Sequence, residues 1–436
     1  MAVGLLGVTV TAFKLVSGLS TAQPVGDVAF NCGIVFQGCP CSMRTDERSH
    51  DRWCPALAIK SQGLIFDATG ATDAEAVAYV TSLVSLESGT WLAGWQSGPG
   101  KHTATNTIAL AQSHDGDGTW QRLPHEFDTA WEGVPGSFLA AEMVEAEPGR
   151  LLLFTTWINR SIPERPLFNP ETEGILPTRL LYCSSEDEGE TWGEWQELST
   201  PGLTGCAVTG PILRWSDGTI ACGFESFKEF DDPAPVEPGA WLAISRDGGC
   251  SFSDPWQVAQ HPQQEKYYWD QRLCPTEKPG EFVAMFWTHN REEQRDTNVH
   301  MLQSSINDGA TAVGEPVETA IPGQIAACAV AADGRILACV VDRGQPGTIT
   351  LWQSADGGHT WPEEDRLVVH VHDERAAITQ GREDIDYAEF WEDMGKWSFG
   401  HPVIRRRGSD WLLAWYAGTP DRMSLHWASV AEKAGA

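Results

Sequence analysis

The octet Ser-x-Asp-x-Gly-x-Thr-Trp recurs along this chain and constrains its fold more than any other feature. It is complete at Ser185–Trp192 and again at Ser354–Trp361. Ser245–Phe252 ends in Phe instead of Trp, and Ser113–Trp120 carries its glycine one place late. Ser305–Thr311 is a decayed copy. In such an octet the Asp carboxylate can accept N–H bonds across a hairpin turn. The glycines supply positive φ, and the aromatic packs beneath the turn. One octet would be weak information. Four good copies and one decayed copy at regular spacing indicate a repeat architecture.

Each octet closes a similar unit: an apolar strand, a Gly turn, a second strand, a loop, and a third strand running into the octet. Val80–Trp95 with Ile108–Gln112 is one unit, and Phe138–Trp157 with Leu180–Ser184 is the next. Cys206–Glu225 with Trp241–Ile244, Gln271–Trp287 with Val299–Gln303, and Ile325–Val341 with Ile349–Gln353 continue the series. Pro402–Ala417 with Ser424–Val430 is a sixth unit without an octet. Such units cannot each bury their own sheet, so radial closure is the expected solution. The expected fold is an all-β, six-bladed β-propeller. Seven blades is the alternative, because Arg52–Gly70 holds two further strand-like pieces. Gly33–Gln37 is expected to pair into the last blade and lock the ring. Residues 1–27 read as an N-terminal segment, either flexible or a weak signal, and residues 28–436 as one propeller domain.

Composition agrees with many short strands and tight turns: 43 Gly, 26 Pro and 20 Trp in 436 residues, with 21% charged. The best helix-like stretch is the short Ala74–Ala78 run. A formal net charge of −30 repels polyanions, which argues against nucleic acid and anionic membranes as partners. Any anionic ligand then needs a local cluster of Arg. The 11 cysteines are an odd number spread along the chain, which argues against a complete disulfide framework. Cys32, Cys39, Cys41 and Cys54 cluster, but Cys39-Pro40-Cys41 is too tight for a zinc knuckle, so neither metal nor cofactor is expected. No run is long and apolar enough to span a bilayer. A soluble chain is expected, with the cytoplasm preferred to secretion and the oligomeric state open.

The octets on these repeats resemble the Asp boxes of the sialidase-like, or BNR-repeat, propeller superfamily, over roughly residues 75–430. Phe168–Thr172 with Pro177-Thr178, Tyr268–Gln271, and Pro322–Gln324 are similar to a bacterial branch of that superfamily. The resemblance implies a pocket at one end of the propeller, with the boxes away from it. It also implies three arginines on a substrate carboxylate, an Asp acid/base, and a Tyr nucleophile activated by a Glu. Arg291 and Arg343 stand after the second strands of the fourth and fifth units, where two of those arginines belong, and Asp270 stands near the place of the Glu. Other parts differ. The first arginine's place reads Tyr79-Val80-Thr81, the loop Gln96–Asn106 has no carboxylate, and the nucleophile's place reads Ser398-Phe399-Gly400-His401.

Propeller pockets draw on the start of each innermost strand and the loop after the second. This selects Asp270, Glu225, His401 and Asp342 as candidate catalytic groups. Arg272, Arg291, Arg343, Gln324 and Arg160 are candidate substrate-binding groups, with Asn159 and His289 beside them. Asp270 and Arg272 flank Gln271 and should point to one side of their strand. Structural ion pairs and solvated turns are the plain alternative for each. The string Asp384–Met394 mixes aromatics with carboxylates; in it Glu389 and Trp391 are candidates for a sugar-binding wall. The functional expectation is a sialidase-like glycoside hydrolase on a terminal acidic sugar. A carbohydrate-binding propeller without catalysis and a polysaccharide lyase remain the alternatives.

Overall fold

The structure is a computed structural model that describes residues 54–116, 118–307, 314–344, 346–373 and 396–433. It is an all-β propeller. Among the described residues the strands form five sheets, four of them taken here as one blade each and the eight-stranded fifth as two blades joined at a parallel bridge, numbered in chain order. Blade 1 comprises Val77–Ser85, Trp91–Gly98, Thr107–Ser113 and Gln121–Arg122. Blade 2 comprises Gly136–Glu147, Arg150–Asn159, Thr178–Ser185 and Gln196–Leu198. In blade 3 the innermost position is shared by Thr204–Val208 and Leu213–Arg214; Ile220–Phe227, Gly239–Ser245 and Trp256–Ala259 follow. Blade 4 runs Lys266–Pro275, Glu281–Asn290, His300–Ser305 and Val317–Glu318; blade 5 runs Ala326–Val330, Ile336–Asp342, Gly347–Ser354 and Leu367–His372. Blade 6 holds Phe399–Arg407, Asp410–Thr419 and Arg422–Glu432.

The outermost strand of blade 6 comes from early in the chain. Leu57–Phe66 pairs antiparallel with Arg422–Glu432, from Leu57 opposite Glu432 to Phe66 opposite Leu425. This closure removes an open sheet edge that would otherwise face water. A parallel bridge between Val77 and Met423 joins blades 1 and 6 directly. Gly33–Gln37, expected in the closing role, lies outside the described residues, as do Cys32, Cys39, Cys41, Glu389 and Trp391. The Ala74–Ala78 run divides into a 3-10 turn at Asp73–Glu75 and the start of strand Val77–Ser85. Tertiary pairing overrides the helical preference of that short alanine-rich stretch.

Apolar side chains pack between neighbouring blades, with Leu83, Leu92, Leu153, Leu273 and Leu413 fully buried. The octets form the outer turns. At the second octet, Asp187 Oδ1 accepts from Ser185 Oγ at 2.8 Å and Thr191 N at 2.9 Å. Trp192 donates to Gly189 O at 3.1 Å, which tucks the indole under the turn. Asp247 and Asp356 make the same bonds in blades 3 and 5.

The innermost strands carry a second repeated device. Their register slips between Tyr79 and Ser82, Leu139 and Glu142, Trp269 and Arg272, and Gly400 and Val403. Each slip contains a left-handed residue other than glycine: Val80 (φ 52°), Ala140 (φ 75°), Asp270 (φ 48°) and His401 (φ 49°). Such bulges re-aim a side chain and concentrate next to active sites.

Candidate functional site

The innermost strands of blades 1, 2, 3, 4 and 6 each bring residues of their first halves to one end of the central channel. A cavity of about 130 Å³ opens there. All four left-handed residues, Val80, Ala140, Asp270 and His401, line it, with Tyr79, His102, Glu225, Trp269 and Trp287. Its size is well below the roughly 300–1,000 Å³ of drug-sized sites, and suits a single small ring.

Arg272 is buried beside the cavity, two residues on from Asp270. Its side chain is 2% exposed, with Asp270 Oδ1 3.6 Å from Nε and Glu142 Oε1 3.9 Å from Nη1. Nη1 donates to Gly210 O at 3.3 Å, and Nη2 lies 2.7 Å from His401 Nδ1. A guanidinium can only donate, so His401 accepts here as a neutral imidazole. Burial and the Arg272 charge agree with this, holding the His401 pKa well below the ordinary histidine range. His401 Nε2 lies 3.9 Å from Asp270 Oδ1, and the Asp270 side chain keeps 21% of its surface exposed.

Two carboxylates therefore flank the buried Arg272, and a third, Glu225, feels the charges of Asp270 and Arg272. Burial raises the Asp270 pKa against the pull of Arg272. Burial also raises Glu142, opposed by Arg272 and Arg405. Glu225 is pushed up to about 8, first by burial and then by the Asp270 charge. Glu225 Oε1 accepts from Gln271 N at 2.8 Å, which ties the carboxyl to the same bulge that presents Asp270. The side chain of Gln271 points the other way, donating to Phe224 O and Trp241 O at 2.7 and 3.1 Å. Asp270 and Glu225 thus line one cavity, and burial raises the pKa of both, with Glu225 raised further by the Asp270 charge.

Of the remaining candidates, Arg343 is close to the cavity. It stacks 3.9 Å over Trp397, donates to Phe399 O at 2.9 Å, and its Nε donates to Gln324 Oε1 at 2.9 Å. Gln324 in turn donates to Asp296 Oδ2 at 3.0 Å, and Asp296 Oδ1 lies 3.0 Å from His289 Nδ1. His289 and Gln324 therefore support Arg343 through a polar chain. Arg291 does not join it: the guanidinium lies 4.8 Å over Tyr267 and donates to Gln264 O. The strand after Arg291 folds back at Arg295–Asp296, which turns the side chain toward its own blade. Asp342 accepts from Gly344 N at 2.9 Å, as a turn residue does, and does not line the cavity. Arg160 is 3% exposed and donates to Ser137 Oγ and His102 O, so it braces the His102 loop from behind. Asn159 accepts from Ser161 N.

Sequence reasoning missed Tyr79, Lys101, His102, Glu142 and Tyr416. Lys101 Nζ lies 4.3 Å over the Tyr79 ring and donates to Tyr416 OH at 3.2 Å. His102 packs edge-on to Tyr79 at 5.3 Å, with a pKa lowered to about 3 by burial and by Lys101. The signal was present in two places treated as departures. Tyr79 occupies the expected place of an arginine, and the loop without a carboxylate supplies Lys101 and His102. Glu142 gave no signal, because a carboxylate inside an apolar strand carries no mark of its distant partner.

The comparisons with known proteins agree with this architecture. The BNR repeat-like domain family matches residues 89–395. No curated protein matches the chain. Among solved structures, a protein of unknown function from Dyadobacter fermentans has a TM-score of 0.63 at 15% identity, over 87% of this chain and 100% of that one. An α-L-arabinanase of Penicillium chrysogenum, complexed with arabinobiose, has a TM-score of 0.55 at 13% identity, over 85% and 98%. The NanB sialidase of Streptococcus pneumoniae has a TM-score of 0.57 at 11% identity, over 85% and 70%. Likenesses at such identities establish a propeller fold shared with glycoside hydrolases, and nothing finer. Because the family match spans most of its length, the chain belongs to the BNR repeat-like domain family.

Proposed function

We propose that this protein is a sialidase-like glycoside hydrolase that cleaves a terminal, acidic sugar with Glu225 as proton donor and Asp270 as the facing carboxylate. One observation carries the reading: two carboxyl groups line one small cavity, and burial with the neighbouring Asp270 charge pushes the pKa of Glu225 up to about 8. Glycoside hydrolysis needs such a division, a protonated acid for the leaving oxygen and an ionised group for the positive charge developing on the sugar. Asp270, steadied by Arg272 and His401, is the more exposed of the pair and supplies the second role. Tyr79, Trp269 and Trp287 offer aromatic surface to a sugar ring. Lys101 and Arg343 flank Tyr79, and they support the acidic specificity in a chain of formal net charge −30. The small cavity supports action at the end of a glycan.

The test is hydrolysis of aryl glycosides of sialic and uronic acids with good and poor leaving groups. Glu225→Gln is expected to lose about 10²–10⁴-fold on the poor leaving group and little on the activated one, as removal of a general acid requires. Asp270→Asn should lose activity on both. Arg343→Ala should raise KM for the acidic sugar more than it lowers kcat. Equal losses for Glu225→Gln on both leaving groups would sink the acid assignment.

A second reading has a specific observation behind it. Glu225 is spent on the Gln271 N–H and Asp270 on Arg272, as in a structural ion cluster that merely shapes a sugar-binding cavity. Glycan binding without turnover on any glycoside, undiminished in Glu225→Gln, would select that reading.

A further inference from the structure

The second halves of the innermost strands meet at the other end of the channel, and they enclose a separate cavity of about 420 Å³. Ser85, Val144, Ile212, Leu273, Cys328 and Ile404 contribute to it, one from each blade. Arg272 and Glu142, buried between the two ends, separate it from the cavity that holds Asp270. In a chain with 60 acidic and 30 basic residues, this cavity is bordered by three guanidinium groups: Arg214 from blade 3, and Arg405 and Arg406 from blade 6.

These guanidiniums are under-used. Arg405 donates to Ile404 O at 3.0 Å, and the charge that acts on it most is the carboxylate of Glu142, which lies closer to Arg272. Arg406 Nε donates to Gly408 O at 3.0 Å. Arg214 has a single ion pair, at 3.7 Å to the half-exposed Glu87, and its buried Nε has no hydrogen-bond partner. A buried donor left unpaired costs free energy that a bound acceptor would return. Two carboxylates border the same space. Glu145 is spent on the N–H groups of Glu87 and Gly149, and Glu277 is exposed at the rim. Ser85, Ser216 and Thr276 add hydroxyl groups to the wall.

We infer that this second mouth of the channel is a binding site for a phosphate or sulfate group, gripped from opposite blades by Arg214 and Arg405 with Arg406 at the rim. Guanidinium groups present paired donors that match the oxygens of such groups. The cavity exceeds what a bare oxyanion fills, so the group can arrive free or attached to a small organic body. This site is independent of the glycosidase reading, because none of its residues lines the upper cavity.

Trp215 and Trp411 line the cavity and give an intrinsic reporter. The experiment titrates the full chain at constant ionic strength with inorganic phosphate, and separately with glucose 6-phosphate, following tryptophan fluorescence and the melting temperature. Saturable responses are expected in the wild type and in Asp270→Asn. Affinity should fall tenfold or more in Arg214→Gln and in Arg405→Gln. Tighter binding of the sugar phosphate would assign an esterified ligand, and equal or tighter binding of inorganic phosphate a free one. Should Arg405→Gln fail to fold, Arg214→Gln and the exposed Arg406→Gln carry the same test. No saturable response to either probe overturns the inference. So does stabilisation of equal size in the arginine variants, because salts excluded from any protein surface stabilise without a site.

Discussion

Asp270 is an acidic residue held in a left-handed backbone conformation beside a buried arginine, and both facts serve its position. A left-handed non-glycine residue costs of order 1 kcal/mol or more, so the surrounding bulge must over-determine it. The same device recurs at Val80, Ala140 and His401, which explains why four blades aim residues at one cavity. The charge balance has a measurable consequence at Glu225. Its pKa rises from 4.5 unfolded to about 8 folded, so the folded chain binds more protons in that window. The stability tied to the neutral carboxyl is therefore complete below pH 4.5, declines as pH rises, and is gone once pH passes about 8. Glu225→Gln keeps an oxygen for the Gln271 N–H and removes the titration. Thermal melts at pH 5, 7 and 9 should show the variant gaining on the wild type as pH rises; parallel curves would contradict the assignment. Asp270 and Glu225 were legible in the sequence by position in the repeat. Their partnership was not, because 45 residues and a blade boundary separate them.

The octet is the element whose local chemistry is complete in itself. Asp187 takes bonds from Ser185 and Thr191 within one turn, and Gly189 provides its positive φ of 91°. Asp187→Ala removes these bonds without opening the core. It is expected to lower stability by about 1–2 kcal/mol and leave any glycosidase activity at full strength, as read by urea unfolding alongside turnover. Losing activity along with stability would mean that the turn communicates with the cavity. The blades were readable because strand, turn and octet each follow from neighbours in sequence. The loop Gln96–Asn106 was read only for the carboxylate it lacks. Its contribution, Lys101 over Tyr79, depends on two strands of different blades, Val77–Ser85 and Asp410–Thr419, packing beneath it.

Closure operates at the scale of the whole molecule. Leu57–Phe66 supplies the outermost strand of a blade whose other strands begin at Phe399. Deleting residues 54–66 leaves Arg422–Glu432 as an open edge and exposes the apolar face beneath it. The shortened protein is expected to melt at lower temperature and to aggregate on warming, as calorimetry and light scattering would show. A soluble monomer with an unchanged melt would mean that the Val77–Met423 bridge alone suffices to hold the ring. A ring also creates two channel mouths from one set of strands. Here one mouth gathers carboxylates and the other guanidiniums, with Arg272 and Glu142 buried between them.

By itself the sequence determined the propeller class, the boundaries of the repeating units and the chemistry of the octet turns. Those depend on hydrophobic alternation, glycine placement and short-range hydrogen bonds, all of which act over a few residues. It also determined that any bound anion must meet a local cluster of arginines. Only the tertiary structure decided which strand closes the ring and which arginines reach the channel. It decided too that Tyr79, Lys101 and Glu142 belong to the site. The reason is physical. A channel side chain takes its neighbours and its ionisation from other blades, and radial closure sets those distances, whereas local sequence sets only the strand it stands on.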